Sequence, residues 1–316
     1  VEFTGLSCYT ANLVAYLAED DPGAAARFAD SVRLAVRVDL PDGALSFSHH
    51  DIPLDRLPDG TRLRYACAVD AMAARDEVEA ELAAHGQVLV VTDNARLPWS
   101  PSFGTISTAP HWLLVDGRDG DQWHVVDHFA GLLPTGEQSA HTGTLSTARL
   151  LDAMTLPRHW SAVQQRRSEL AFGFPVGTPL SGPQWLRRDR DDGRADELPG
   201  RWLTTDAEAL PFLADRFRAD PIGMAPYLDD LWTVAGHHTF RYRRLREDPA
   251  CADDARAALD GALDAWRQLP SALRFAVDSA RRDRPRASLV DLTFGNLLTI
   301  ESGQDALLPT AGRTAR

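Results

Sequence analysis

The chain has 316 residues, 44% of them hydrophobic and 25% charged, with a formal net charge of -12. That length carries one large or two modest cores, and two domains are expected. The acidic excess argues against broad nucleic-acid binding, which needs a basic face, and the absence of lysine excludes Schiff-base, pyridoxal phosphate and P-loop chemistry.

No apolar run reaches the length of a membrane span, and the N-terminal stretch lacks the basic, apolar and small-residue order of a signal peptide, so a cytoplasmic protein is expected. The cysteines at 8, 67 and 251 are too scattered for a disulfide framework or a metal site, and each reads as a free thiol.

In chain order, residues 8–18 read as a helix and 24–37 as a second, alanine-rich helix. The segment after it carries two Pro-Asp-Gly turns and predicts irregular structure with short strands. Residues 69–84 form an amphipathic helix stopped by His85 and Gly86, followed at once by the strand "QVLVVT". Beyond the loop "DNARLPWSPSFGTISTAP", two apolar strands flank "GRDGDQ" and predict a hairpin turned at Asp119-Gly120. From about residue 150 the pattern is helical: 206–219, 224–234, "FRYRRLRED" and 253–281. The Pro/Gly/Arg stretch 173–201 reads as an exposed connection or flap. The expected organisation is a mixed α and β domain over 1–150 and a mainly α-helical one over 151–316.

Cys8 stands where the first helix begins. A helix start favours a thiolate through its dipole and unpaired N–H groups, which makes Cys8 a candidate nucleophile, and the same N–H groups can hold an oxyanion. A thiol nucleophile needs a base, and the base an orienting group. The hairpin offers His111 at the start of one strand and Asp127 at the end of the other. If paired residue numbers sum to 238, these two are directly cross-strand on one face; a one-residue shift would separate them, so the hairpin needs an odd loop or a bulge. Further site candidates are Tyr9, Thr10 and Asn12 beside the cysteine, Asp93, Asn94 and Trp99 after the strand, and Trp112 beside the histidine. Asn12 reads as an oxyanion donor or as a loop anchor, and Asp93 and Asn94 as site-lining residues or loop caps.

"SCYTANLVAYL", "VLVVTDNARLPW" and "PHWLLVDGRDGDQWHVVDHFAG", in this order, resemble the N-terminal domain of the butirosin biosynthesis acyltransferase family, related in fold to C39-type papain-like cysteine peptidases. "GHHTFRYRRLRED" with "ALDGALDAWRQLPSAL" resembles the helical domain that follows in such proteins. The resemblance implies an α+β papain-like catalytic domain with a helical C-terminal domain. It implies Cys8 as nucleophile, His111 as base and Asp127 as its orienter. The implied reaction takes an acyl group from the phosphopantetheine thioester of an acyl or peptidyl carrier protein and delivers it to a small-molecule amine, as in antibiotic biosynthesis, with no cofactor or metal on this chain. The segment before Cys8, "VEFTGLS", departs from the C39 pattern in having no glutamine, so backbone N–H groups at Cys8 stand in as oxyanion donors.

The same three residues serve a thioesterase, an amidase or a cyclase, and a non-catalytic carrier-binding scaffold is the reading from another class. Arg241 and Arg244 share a helix face and read either as a solvated face or as a docking patch for an acidic carrier protein. Cys67 and Cys251 read as incidental thiols. His49-His50 and His237-His238 lack the spacing of a zinc site.

Overall fold

A computed structural model describes residues 3–307 except 134, 158, 159, 175, 180, 192 and 194–198. The elements run α1 (Cys8–Asp20), α2 (Ala24–Ser31), β1 (Val32–Arg37), β2 (Ser46–His50), β3 (Thr61–Cys67), α3 (Ala71–His85), β4 (Val88–Asp93), β5 (Pro110–Asp119) and β6 (Gln122–Asp127). They continue with β7 (Gly131–Leu133), β8 (Gly136–Gln138), β9 (His141–Ser146), α4 (Thr147–Ala153), α5 (Ala162–Gln165), α6 (Arg167–Phe172) and β10 (Gln184–Arg190). The rest is β11 (Trp202–Leu203), α7 (Asp206–Ala219), α8 (Leu228–Glu247), α9 (Asp253–Ala280) and α10 (Ala287–Leu307). The class is a mixture of helix and sheet, as expected.

The chain divides into two compact units, but not at residue 150. The first comprises 1–28 and 52–198, the second 29–51 and 199–316. The helix expected over 24–37 ends at Ser31, and its second half is the strand β1. There Val32, Leu34 and Val36 alternate with arginine and alanine, a period of two, and β-branched valine favours the extended backbone. β1 is the middle of a three-stranded sheet, β11-β1-β2, which belongs to the second unit.

The first unit is built on a six-stranded antiparallel sheet in the order β3-β10-β4-β5-β6-β9. The central strands are covered on both faces, so β4 is buried at every position, and its first four residues, Val88 to Val91, are an unbroken apolar run. One face packs Val88, Val90, Leu113, Val115 and Trp185 against Ala74 and Val78 of α3 and Leu150 and Ala153 of α4. The alternate positions face the other way, where Tyr9 of α1 stacks on Trp112 at 4.2 Å and 12°. At its far end α1 is tied to the sheet by Gln87, whose amide donates to the Tyr16 carbonyl at 2.8 Å.

β10 overturns the reading of 173–201 as an exposed flap. Trp185 and Leu186 are buried and pair with Ala66 and Tyr65 on one side and Val90 and Leu89 on the other. Only three apolar-compatible residues, Gln184 to Leu186, precede the polar run Arg187–Arg190, too short a signal to stand out among prolines and glycines. Residues 194–198 of that stretch lie outside the described residues. Gly182 makes the entry to β10 possible, since a Cβ there would collide with the Ala68 carbonyl and its φ is +85°.

α3 starts and stops as its sequence predicts. Asp70 caps it by accepting from the Ala73 N–H at 2.9 Å, and Gly86 ends it with φ 74°.

In the second unit, α7 spans 206–219 as expected and α8 joins the two helical segments expected after 224. Its interior holds a carboxylate, Glu301, which accepts from Trp266 Nε1 and from the Tyr242 hydroxyl, each at 2.6 Å. His49 and His50 of β2 lie beside His237 of α8, with ring centroids 5.3 and 6.4 Å apart. Burial holds His49 neutral, its pKa lowered to about 3, with His50 adding to the effect. No helix among the described residues is long and apolar enough to cross a membrane.

Candidate active site

The first unit brings Cys8, His111 and Asp127 together. Ser7 is the N-cap of α1, and its Oγ accepts from the Thr10 N–H at 3.2 Å. The next backbone bond, from Ala11 N–H, closes on the Ser7 carbonyl at 2.8 Å. The amides of Cys8 and Tyr9 come before that bond, so they are the donors the helix start offers to an oxyanion.

Strand pairing carries His111 and Asp127 to the same place, though not in the register the sequence suggested. Near the turn, β5 and β6 pair Asp119 with Gln122 and Gly117 with His124; past a bulge at Asp116 they pair Val115 with Val125 and Leu114 with Val126. Of the two devices expected, an odd loop or a bulge, the hairpin has the bulge, and beyond it the paired numbers sum to 240, not the expected 238. His111 and Asp127 therefore lie on one face but one diagonal step apart, and the imidazole spans the offset: its Nε2 is 2.8 Å from Asp127 Oδ2. That leaves Nδ1 as the ring nitrogen available to the thiol, whose charge is coupled to that of the ring.

Asp127 is fully buried and every one of its lone-pair directions is used. Oδ2 also accepts from Trp99 Nε1 at 2.9 Å and Gln138 Nε2 at 2.9 Å. Oδ1 accepts from the Phe129 N–H at 3.0 Å and from Asn12 Nδ2 at 3.2 Å. Burial works against the anion, but the charge of His111 and these donors prevail, and the carboxyl is held below its ordinary pKa of 3.8.

The same balance sets the other two groups. Burial would strip His111 of its proton, yet the Asp127 carboxylate and the Cys8 thiolate outweigh it and raise the imidazole from 6.5 to about 10. Burial would raise Cys8; the charge and hydrogen bond of His111, with a smaller contribution from Arg167, bring it below its ordinary 9.0. Each group therefore favours the charged form of the other, which draws the pair towards thiolate and imidazolium.

The remaining site candidates take other roles. Asn12 is not an oxyanion donor: besides Asp127, its Nδ2 faces the carbonyls of Cys8 at 2.9 Å and Trp112 at 2.8 Å, and its Oδ1 accepts from the His128 N–H at 2.9 Å. It anchors the loop after β6 and joins the cysteine's helix to both strands of the hairpin. Thr10 Oγ1 is bonded to Ser7 Oγ at 3.0 Å and serves the cap. Tyr9 and Trp112, stacked on each other and buried, are core residues. Asp93 Oδ1 accepts from the Ala95 N–H at 3.0 Å, and Asn94 bonds Ala109 and Ser102, so both shape the loop 94–109. Trp99 orients the carboxylate, its ring stacked on His141 at 4.1 Å. Arg241 donates to the Val32 carbonyl at 3.0 Å within the second unit, which spends its guanidinium internally; Arg244 remains half-buried on α8.

Two residues of the site had no signal in the sequence. Gln138 sits on a three-residue strand, and Arg167 lies in a helix of six residues; neither follows a motif, and both reach the site only through the fold. Compared with models of known protein families and with curated proteins, the sequence matches none.

Proposed function

We propose that this protein is a cysteine-dependent acyltransferase with a papain-like catalytic unit, which takes an acyl group from a carrier-protein thioester and delivers it to an amine. The observation that carries the reading is His111 bonded to a buried, five-donor Asp127 and electrostatically coupled to Cys8. A thiol whose pKa is lowered by a neighbouring imidazolium is a better nucleophile near neutral pH, and a fixed carboxylate holds that imidazole in place.

The Cys8 thiolate attacks the thioester carbonyl, and the oxyanion faces the Cys8 and Tyr9 amides. The carbon–sulfur bond to the phosphopantetheine arm then breaks, and the departing sulfur takes the proton from His111. The acyl group is now on Cys8 and His111 is neutral. An amine attacks the acyl carbonyl, yields its proton to His111, and displaces the Cys8 thiolate, which restores the ion pair. Asp127 holds the imidazole orientation throughout and stabilises its charge.

The test is intact-mass analysis of the protein mixed with an acyl-loaded carrier protein or an acyl N-acetylcysteamine thioester. A one-acyl adduct that maps to Cys8, is absent from Cys8→Ala, and is discharged faster by amine than by water supports transfer. Discharge by water at the same rate with or without amine makes the protein a thioesterase, and no adduct on Cys8 ends the reading.

A further inference from the structure

The first unit also places near Cys8 a cation most of whose hydrogen-bonding capacity is unspent. α6 packs on α1, and Arg167, its first residue, extends a guanidinium to the Pro110 carbonyl, next to His111, at 3.4 Å. Its charge is felt at both Cys8 and Tyr9. One long hydrogen bond uses a single one of its five N–H donors. No carboxylate among the described residues pairs with it, and the nearby Glu169 responds to Arg166 instead. Other arginines of the first unit are paired: Arg62 with Asp55 at 2.5 Å, Arg188 with Asp20 at 2.5 Å and Arg96 with Asp152 at 2.5 Å.

We propose that Arg167 is an anion subsite next to the Cys8 sulfur, so that the substrate processed there carries a carboxylate within a few bonds of its reacting carbonyl. The proposal rests on Cys8 being the nucleophile of the reading above. A phosphopantetheine phosphate is not the ligand, because the arm's full length separates it from the thioester sulfur. A planar fork with free donors suits a carboxylate.

The experiment compares alkylation of Cys8 by iodoacetate and by iodoacetamide, followed by peptide mapping. In each case the thiolate displaces iodide, and one reagent carries a carboxylate where the other carries an amide. At one pH the thiolate fraction cancels from the ratio of the two rates, so a change in that ratio reports the subsite and not the thiol's acidity. Arg167→Gln is expected to lower the iodoacetate-to-iodoacetamide ratio about tenfold, as for loss of a charge-assisted bond, and Arg167→Lys to retain part of it. Succinate should slow labelling of the wild type and not of Arg167→Gln.

An unchanged ratio in Arg167→Gln overturns the subsite and leaves the acyl-Cys8 reading standing. Failure of both reagents to label Cys8 overturns both together. Two further arms assign the carboxylate: a succinyl over a butyryl N-acetylcysteamine thioester in acylating Cys8 places it on the acyl group, and glycine over glycinamide in discharging the acyl-enzyme places it on the acceptor. Loss of whichever preference is found in Arg167→Gln is the expected result, and a preference untouched by the substitution overturns the assignment to Arg167.

Discussion

Asn12 and Asp127 are bonded at 3.2 Å across 115 positions of sequence, and that contact fixes the distance between the cysteine's helix and the hairpin. One amide, four residues past Cys8, faces the Cys8 and Trp112 carbonyls and the Asp127 carboxylate, and accepts from the His128 N–H. A helix whose N-terminus must sit within bonding distance of an imidazole on another element needs such a brace, since packing alone leaves it free to slide.

Asn12→Ala should therefore lower stability and activity together. It leaves buried carbonyl, carboxylate and N–H groups short of partners, at a cost of roughly 2–3 kcal/mol. Urea unfolding should show the loss, and Asn12→Asp, which sets a second anion against Asp127, should lose more. An Asn12→Ala protein with unchanged midpoint would remove the brace from the account.

Asp127→Asn should reduce turnover by about a hundredfold or more, because an amide neither stabilises the imidazolium nor fixes its tautomer. It should also move the inflection of Cys8 alkylation upward towards 9.0, since His111 loses the charge that keeps it protonated. Trp99→Phe, which removes one donor to the same carboxylate, should act in the same direction by a smaller amount. A pH profile of iodoacetamide labelling at Cys8 measures all three proteins.

The ion pair makes a signed prediction for stability. Above 6.5 and between Cys8's lowered value and 9.0, the folded pair holds one proton on His111 while the unfolded chain holds one on the thiol. The counts are equal, so the pair makes stability independent of pH in that window. In Cys8→Ala the folded imidazole, still raised by Asp127, keeps a proton that the unfolded chain has lost above 6.5. Its stability should fall with rising pH, by roughly 1.4 kcal/mol per unit until the folded value is passed. Denaturation midpoints of the two proteins between pH 7 and 9 decide it; parallel curves would mean that the pair is not charged at rest.

The second unit should be acid-labile for the opposite reason. His49 is held at about 3 by burial, and burial keeps His237 and His238 well below 6.5. The unfolded chain binds these protons first, so stability present above 6.5 declines as the pH falls towards 3, at roughly 1.4 kcal/mol per unit for each histidine. His49→Phe should flatten the decline in a thermal-unfolding series from pH 7 to 4.

Arg244→Glu should slow turnover of a carrier-bound thioester more than that of an N-acetylcysteamine thioester, if α8 meets an acidic carrier protein. The difference should shrink as salt is raised, because the screening length is about 10 Å at 0.1 M. Equal loss with both donors would withdraw the docking role from Arg244, as the bond to Val32 already weakens it for Arg241.

What the sequence determined by itself was local. A cap and a helix start set Cys8; alternating apolar residues and a Gly turn set the hairpin; Asp70 and Gly86 bounded α3. Those signals lie within a few residues of what they specify, and they were enough to nominate Cys8, His111 and Asp127 and to call for an odd loop or a bulge, the latter now found at Asp116. They failed where the deciding contacts are distant. β10 is a strand because β3 and β4 flank it, β1 left its helix to pair with β2 and β11, and neither partner can be read from the segment itself. The roles of the polar residues were likewise settled by the fold. Asn12, Trp99 and Gln138 point at one carboxylate from a helix, a loop and a short strand, and Arg167, on another helix, donates to the Pro110 carbonyl beside His111. A buried charge must collect its donors from whatever backbone passes within 3 Å of it, and which segments pass there is a property of tertiary packing alone.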